Sequence, residues 1–277
     1  MINRKEYDNK LNFIIIVWIF FLGKRVFLSG SIDLMYYLAS NKAVDFESFP
    51  IFSFFKELIL IMKYIGLISS FFVIINFKRK IFYPIFIFSL FYFCFAFFQL
   101  IGTYGIWAFY FIPCSILYLS MYSTNKKMFF KLLVFSYCTF YFYAGYSKIY
   151  PFWKFDDWIN GYTIENLIFS RMHESILYQT FGINILELPE LLIKIFIILS
   201  VFLELGVIII CYKYYFHKVI IPLVLSFHLF LFLTGTPGIV EYTIGAAIFI
   251  PNSIVTHIIN IKNTTKNYLH KTLGNTA

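Results

Sequence analysis

Leu191 to Tyr212 reads LLIKIFIILSVFLELGVIIICY, 22 residues with two charged side chains, Lys194 near its start and Glu204 past its middle. A helix rises about 1.5 Å per residue, so this stretch matches the roughly 30 Å of hydrocarbon in a bilayer. Runs of the same kind recur along the chain, at about 11–28, 58–77, 81–101, 106–122, 128–147, 218–234 and 239–260. With 60% hydrophobic and only 13% charged residues and a mean hydropathy of +0.77, the chain has too little charge to cover the surface of a soluble domain of its 277 residues. The expected fold is therefore all-α, a polytopic transmembrane helix bundle of about eight spans forming one domain over residues 1–277.

The charges set an orientation. Arg4, Lys5 and Lys10 precede the first run, and Lys78-Arg79-Lys80, Lys126-Lys127, Lys213 with Lys218, and Lys262, Lys266 and Lys271 fall in every second connection after it. The alternate connections hold 11 of the 14 carboxylates, among them Asp33, Glu57, Asp156, Asp157 and Glu241. Basic cytoplasmic loops are the rule for polytopic proteins, so the expected topology has both termini inside, in a multi-pass protein of the cell membrane. The net charge of +9 is accounted for by these clusters, and no nucleic-acid partner is expected; the partner is the lipid bilayer. Residues 1–28 have the charge order of a signal peptide, but Gly23-Lys24-Arg25 follows the apolar run where a small-residue cleavage site belongs. They are expected to stay as the first helix.

Two outer segments are long, about 24–57 and 148–190. The second holds Trp153, Trp158, Pro151 and Pro189, and short amphipathic helices at the outer interface are expected there. The 38 phenylalanines are expected to serve packing and lipid contact, and Cys94, Cys114, Cys138 and Cys211, all in apolar stretches without metal-ligand spacing, to act as small hydrophobes. No metal site is expected.

Ionisable groups inside apolar runs are costly and mark candidate sites. Lys63, Lys148, Glu204 and His228 are of this kind. Lys63, toward the outer part of its helix, is expected to snorkel outward or to meet a Tyr or Glu. Counted from the inner ends of adjacent antiparallel helices, Glu204 and His228 lie at similar depth, about 12 and 15 Å, so a buried Glu204–His228 pair is expected, either as a site or as a packing bond. Lys148 closes the fifth run within FYAGYSKIYP, residues 142–151. Ala144 and Gly145 there permit close helix approach, and Pro151 stops the helix. A lysine desolvated among aromatic rings can act as a base.

The string Ala144-Gly145-Tyr146-Ser147-Lys148-Ile149, followed by Trp158-Ile-Asn-Gly161-Tyr162, resembles the core pattern of the horizontally transferred transmembrane (HTTM) family, an Ala-Gly-x-x-Lys helix end followed by Trp-x-x-Gly at the membrane surface. The family includes the membrane domain of vitamin K-dependent γ-carboxylase, and sporulation-delaying-protein B type peptide-maturation proteins are similar over the same block. The resemblance continues through the helix with Glu204 and through Ser226-Phe227-His228. It implies catalytic roles for Lys148, His228 and Glu204, and substrate or cofactor binding by Tyr146, Trp158, Gly161 and Tyr162. In the carboxylase, the matching lysine is the base that deprotonates a reduced quinone, so the resemblance implies a quinone cofactor and carboxylase-like lyase or ligase chemistry as one reading. The chain departs from the carboxylase at Gln99–Gly105, which has no histidine, and no stretch corresponds to the carboxylase's large extracytoplasmic domain. The leading expectation is accordingly a membrane component of a peptide-maturation or antimicrobial-peptide production system, with an exported precursor peptide and a small accessory protein as partners. A non-catalytic membrane scaffold is the third reading.

The orientation has a direct test. In a chain whose native cysteines are replaced, a single cysteine at Ser170 is expected to react with an impermeant thiol reagent on intact cells, and one at Ser123 only after permeabilisation.

Overall fold

The computed structural model describes residues 4–28, 58–101, 105–150, 175–182, 187, 189–233 and 245–259. Among them every regular element is helical. In chain order they are α1 (Arg4–Leu22, running on as a π-helical turn Gly23–Leu28), α2 (Leu58–Ile74), α3 (Arg79–Ile101), α4 (Gly105–Ser120), α5 (Lys126–Ile149), α6 (Ile176–Phe181), α7 (Glu190–Gly206), α8 (Ile209–Tyr212) and α9 (His217–Leu233), then a 3₁₀ turn Gly245–Phe249 and a short helix α10 over 252–259. Three helices among the described residues are long and apolar enough to cross a membrane: Lys5–Leu28, Lys126–Ile149 and Glu190–Tyr212. Leu58–Ile74, Tyr110–Ser120 and Tyr214–Phe230 are apolar but shorter. Seven of the apolar runs thus coincide with helices to within a few residues. The eighth, about 239–260, is described only from 245, where the 3₁₀ turn and α10 meet at Pro251.

The helices fall into two compact units, residues 1–133 with 250–277, and residues 134–249. In the first, α1 buries Ile14, Ile15, Trp18, Ile19, Leu22 and Val26, the i, i+4 stripe of a helix with one packed face. Phe27 stands edge-on to Phe86 and Phe93 of α3, at 5.9 and 5.5 Å between ring centres. Its ring lies over Gly66 of α2, where a Cβ would collide with it. Small residues at such crossings are how apolar helices approach closely when no water is there to be expelled. Tyr83 of α3, fully buried, donates to the Cys114 carbonyl of α4 at 3.1 Å.

The α2–α3 turn is tight. Asn76, at φ 63°, occupies the left-handed position that ends a helix, and Asn is one of the few residues besides Gly that tolerates it. The Phe77 amide donates to the Phe72 carbonyl at 2.9 Å and the Asn76 amide to that of Val73 at 3.2 Å. The Phe72 and Phe77 rings pack at 5.3 Å, completing a Schellman motif with its apolar contact. Arg79 then folds back, Nε donating to the Val73 carbonyl at 2.9 Å and Nη1 to Asn12 Oδ1 at 3.0 Å.

In the second unit, α5 buries Val134, Tyr137, Cys138, Tyr141 and Gly145 along one stripe and exposes Phe135, Phe142, Tyr143 and Tyr146. Gly145 lies directly against Glu204 and Leu205, and the Cys138 thiol lies beside that of Cys211. Both contacts fit one antiparallel register between α5 and the α7–α8 helix. α7 pairs in turn with α9, the Phe196 and Phe230 rings stacking at 4.5 Å and 12°. The cysteines expected to act as isolated small hydrophobes therefore include one touching pair. In the second outer segment the described residues include α6, capped by Ser175 Oγ accepting from the Tyr178 amide at 3.2 Å and by Gly182 at φ 65°. Ser175 Oγ also donates to the Leu233 carbonyl at the end of α9, at 3.2 Å. Of the expected outer segment 24–57, residues 24–28 belong to the π-helical turn that continues α1, and 29–57 lie outside the described residues.

Gly66→Val is expected to destabilise the protein by about 2 kcal/mol through the clash with Phe27. Thermal unfolding in detergent checks this, and Phe27→Leu in the same chain is expected to recover part of the loss.

Candidate functional site

The Lys148 ammonium donates to both oxygens of the Glu204 carboxylate, at 2.6 and 2.5 Å. The side chains are only 16% and 10% exposed, and the surrounding helix faces are apolar. Three features of the chain bring the charges together. Side chains on a helix lean toward its N-terminus, so on antiparallel helices Lys148 and Glu204 lean toward each other. Gly145, one turn before Lys148, removes the side chain that would hold the helices apart; a Cβ there would stand 3.0 Å from Glu204 Cβ and 3.1 Å from the Leu205 amide nitrogen. The third feature is the four-carbon lysine stem, which reaches across the remaining gap.

The register places this pair deep along α7. With Gly145 against Glu204 and Leu205, Lys148 falls opposite position 201, roughly 17 Å along the axis from the first residue of α7. Lys148 ends its own helix, yet it does not lie at the end of the neighbouring one.

Two turns before Lys148 on the same face, Tyr141 meets His228 of α9, Oη to Nε2 at 2.5 Å. Both side chains are buried, 3% and 4% exposed. Tyr137 packs on Tyr141 at 4.7 Å between ring centres, continuing the stripe. Three helices thus bring two polar pairs, Lys148–Glu204 and Tyr141–His228, onto one face of α5.

The expected Glu204–His228 pair does not form; among the described residues the Glu204 carboxylate is held by Lys148. The α7–α9 register gives the reason. With Phe196 stacked on Phe230, the antiparallel pairing sets Glu204 opposite Pro222, roughly 9 Å along the axis from His228. Equal depth from the inner helix ends assumed that α8 and α9 begin flush, and they are offset. Tyr141 escaped the sequence reading because a tyrosine in an aromatic run is ordinarily packing. The signal was its spacing, since 141, 145 and 148 follow i, i+4, i+7.

Tyr146 sits on the exposed face of α5 in a stack with Phe142 and Tyr150, at 6.3 and 5.4 Å. It is turned away from the stripe that carries Lys148. Trp158, Gly161 and Tyr162 lie outside the described residues. Lys63 is half-buried on α2 in the first unit. No cluster of three or more metal-ligating side chains occurs among the described residues.

Beside the site, α7 and α9 enclose a groove of about 380 Å³ lined by Phe196, Leu199, Leu203, Leu223, Phe227 and Phe230, with the hydroxyls of Ser200 and Ser226. Glu204 and His228 directly follow Leu203 and Phe227 in sequence. Searches against protein-family models, curated proteins and solved structures found no match to this chain.

A buried pair tolerates loss of both charges better than loss of one. Glu204→Leu alone, which strands the ammonium, is expected to cost about 3 kcal/mol or more. Lys148→Met with Glu204→Leu is expected to cost clearly less in the same detergent unfolding assay, and Gly145→Leu to behave like the single variant.

Proposed function

We propose that this chain is a multi-pass membrane protein of a peptide-maturation system, with eight spans and both termini inside, working on an exported precursor at a site built on Lys148 and Glu204. The observation that carries this reading is the buried Lys148–Glu204 pair, two-pronged, at a glycine crossing between two membrane-length helices. Ionised side chains at that depth are expensive, and in membrane bundles they concentrate where substrates or protons are handled. In sequence, α5 is followed directly by residues 151–174, which hold the Trp158–Tyr162 part of the HTTM-like pattern. In the proposed orientation that segment faces outward, where an exported peptide arrives.

The chemistry available to the pair is proton exchange. An ammonium hydrogen-bonded to a carboxylate can pass its proton along that bond, leaving a neutral amine able to accept a proton from a substrate. Tyr141 and His228 form a second hydrogen-bonded couple on the same face of α5.

The second reading, a carboxylase-like enzyme using a quinone, is favoured by the groove between α7 and α9. Its aromatic walls and two hydroxyls fit a flat ring carrying oxygens. Phe196, Phe227 and Phe230 would hold the ring and Ser200 and Ser226 would meet its oxygens, and the group would supply redox chemistry that no side chain here offers.

The test uses Lys148→Arg. Arginine keeps the ion pair with Glu204 and so the fold, but guanidinium stays protonated and cannot serve as a base. Co-expressed with a candidate small exported peptide, the native chain is expected to change that peptide's mass or export. Lys148→Arg is expected to lower the rate by about a hundredfold or more while membrane insertion is unchanged. Full function of Lys148→Arg and of the apolar Lys148→Met/Glu204→Leu variant would leave the pair a structural bond in a scaffold. A quinone recovered from the purified protein would favour the second reading.

A further inference from the structure

The first unit carries a cleft of about 440 Å³ where the N-terminal half of α1, the α2–α3 turn and the α4–α5 connection meet. Four cations line it, Lys78, Arg79, Lys80 and Lys126, against one carboxylate, Asp8. The turn described above builds it. The Schellman motif at Asn76 stops α2, and Lys78 also takes a positive φ, 39°, so that the Lys-Arg-Lys triplet folds over the helix end. Such backbone conformations persist only where surrounding contacts impose them. Arg79, 8% exposed, is fixed by the Val73 carbonyl and Asn12, which uses Nε and Nη1 and commits only part of a five-donor fork. Lys126 is anchored on the Ser120 carbonyl at 2.7 Å and on Asp8 at 3.2 Å. Lys78 and Lys80 are exposed and lie over the rings of Phe77 and Tyr122, at 5.6 and 5.5 Å.

Two anchored cations at the base and two exposed ones at the rim, with one carboxylate among them, make a receptor for a compact anion. α3 and α5, helices of 23 and 24 residues, both begin at this cleft and add the positive ends of their dipoles. The rim is not polar all round. Ile81 lines the cleft while 58% exposed, and Ile75, Phe77 and Tyr122 beside it are about half exposed. A soluble phosphate would leave those apolar side chains in water, whereas a phospholipid would cover them with its chains.

We infer that this cleft binds the phosphate of an anionic phospholipid headgroup, with Arg79 and Lys126 at its base, Lys78 and Lys80 closing over it, and the acyl chains lying along Ile75, Phe77 and Ile81. The inference rests on the membrane reading of the chain; carbonate extraction of native membranes tests that reading separately. In the proposed orientation the lipid belongs to the inner leaflet.

The experiment is native mass spectrometry of the purified full-length protein, mixed with phosphatidylglycerol and phosphatidylcholine of identical chains. Phosphatidylglycerol is expected to be retained about tenfold or more over phosphatidylcholine, and Lys78→Gln/Lys80→Gln to reduce that preference severalfold at unchanged thermal stability. Arg79 also caps α2, so its removal would confuse binding with folding, and the rim pair avoids this. Equal retention of the two lipids, or an unchanged preference in the rim variant, would overturn the proposal. Displacement of phosphatidylglycerol by millimolar inorganic phosphate would reassign the site to a free anion.

Discussion

A lysine and a glutamate meeting inside an apolar helix bundle constrain everything around them. Neither charge is affordable alone in that environment, so each fixes the other's position. Bringing them together demands a close helix crossing, which Gly145 permits, and an antiparallel arrangement, which points both side chains into the same gap. The register that follows carries further contacts with it. Cys138 reaches Cys211, and Lys148 is drawn to a level well inside α7. The first eleven residues of α7 consequently run past the end of α5, with Leu191, Leu192, Ile195, Phe196 and Leu199 on exposed surface.

The helices were legible because an apolar run in a membrane-like chain leaves the backbone one local solution, in which each peptide group bonds within its own segment. That logic located α1 to α5, α7 with α8, and α9 without knowledge of any tertiary contact. It also marked Lys148, Glu204 and His228 as residues needing a partner, since the cost of an ionisable group depends only on its apolar surroundings. Partner choice was not legible. It depends on helix stagger, and stagger is set by interdigitating side chains such as Phe196 on Phe230, whose register no single-helix pattern encodes. Counting depth from helix ends presumes flush ends. An offset of a few residues was enough to exchange a Glu204–His228 pair for Lys148–Glu204 and Tyr141–His228. The Asn76 helix stop was hidden for a different reason: asparagine in the left-handed region is an exception to the glycine rule, and its apolar support, Phe72 with Phe77, is indistinguishable from the surrounding run.

The two units treat charge in opposite ways. In the first, cations gather at helix ends, where backbone carbonyls accept from Arg79 and Lys126 and where rim lysines keep access to water. Charge of one sign can accumulate there because solvent and counter-ions screen it. In the second, Tyr141 and Lys148 lie along the buried stripe of α5, each matched with a partner from another helix.

That matching bears on what the interior groups can do. A lone base in an apolar bundle changes the net charge of its surroundings each time it takes a proton, and the low dielectric opposes the change strongly. A lysine already joined to a carboxylate avoids part of this penalty, because moving the proton between them alters no net charge. A tyrosine hydroxyl joined to an imidazole differs, because moving its proton turns a neutral couple into a tyrosinate–imidazolium pair. The lysine–glutamate couple can therefore move its proton internally without changing the net charge of its surroundings. A purely structural bond gains nothing from that property, since an apolar pair of similar volume would hold the helices as well. Both couples lie on one helix face, with Tyr141, Gly145 and Lys148 at i, i+4 and i+7, so one stripe of α5 carries the buried polar groups contributed by three helices.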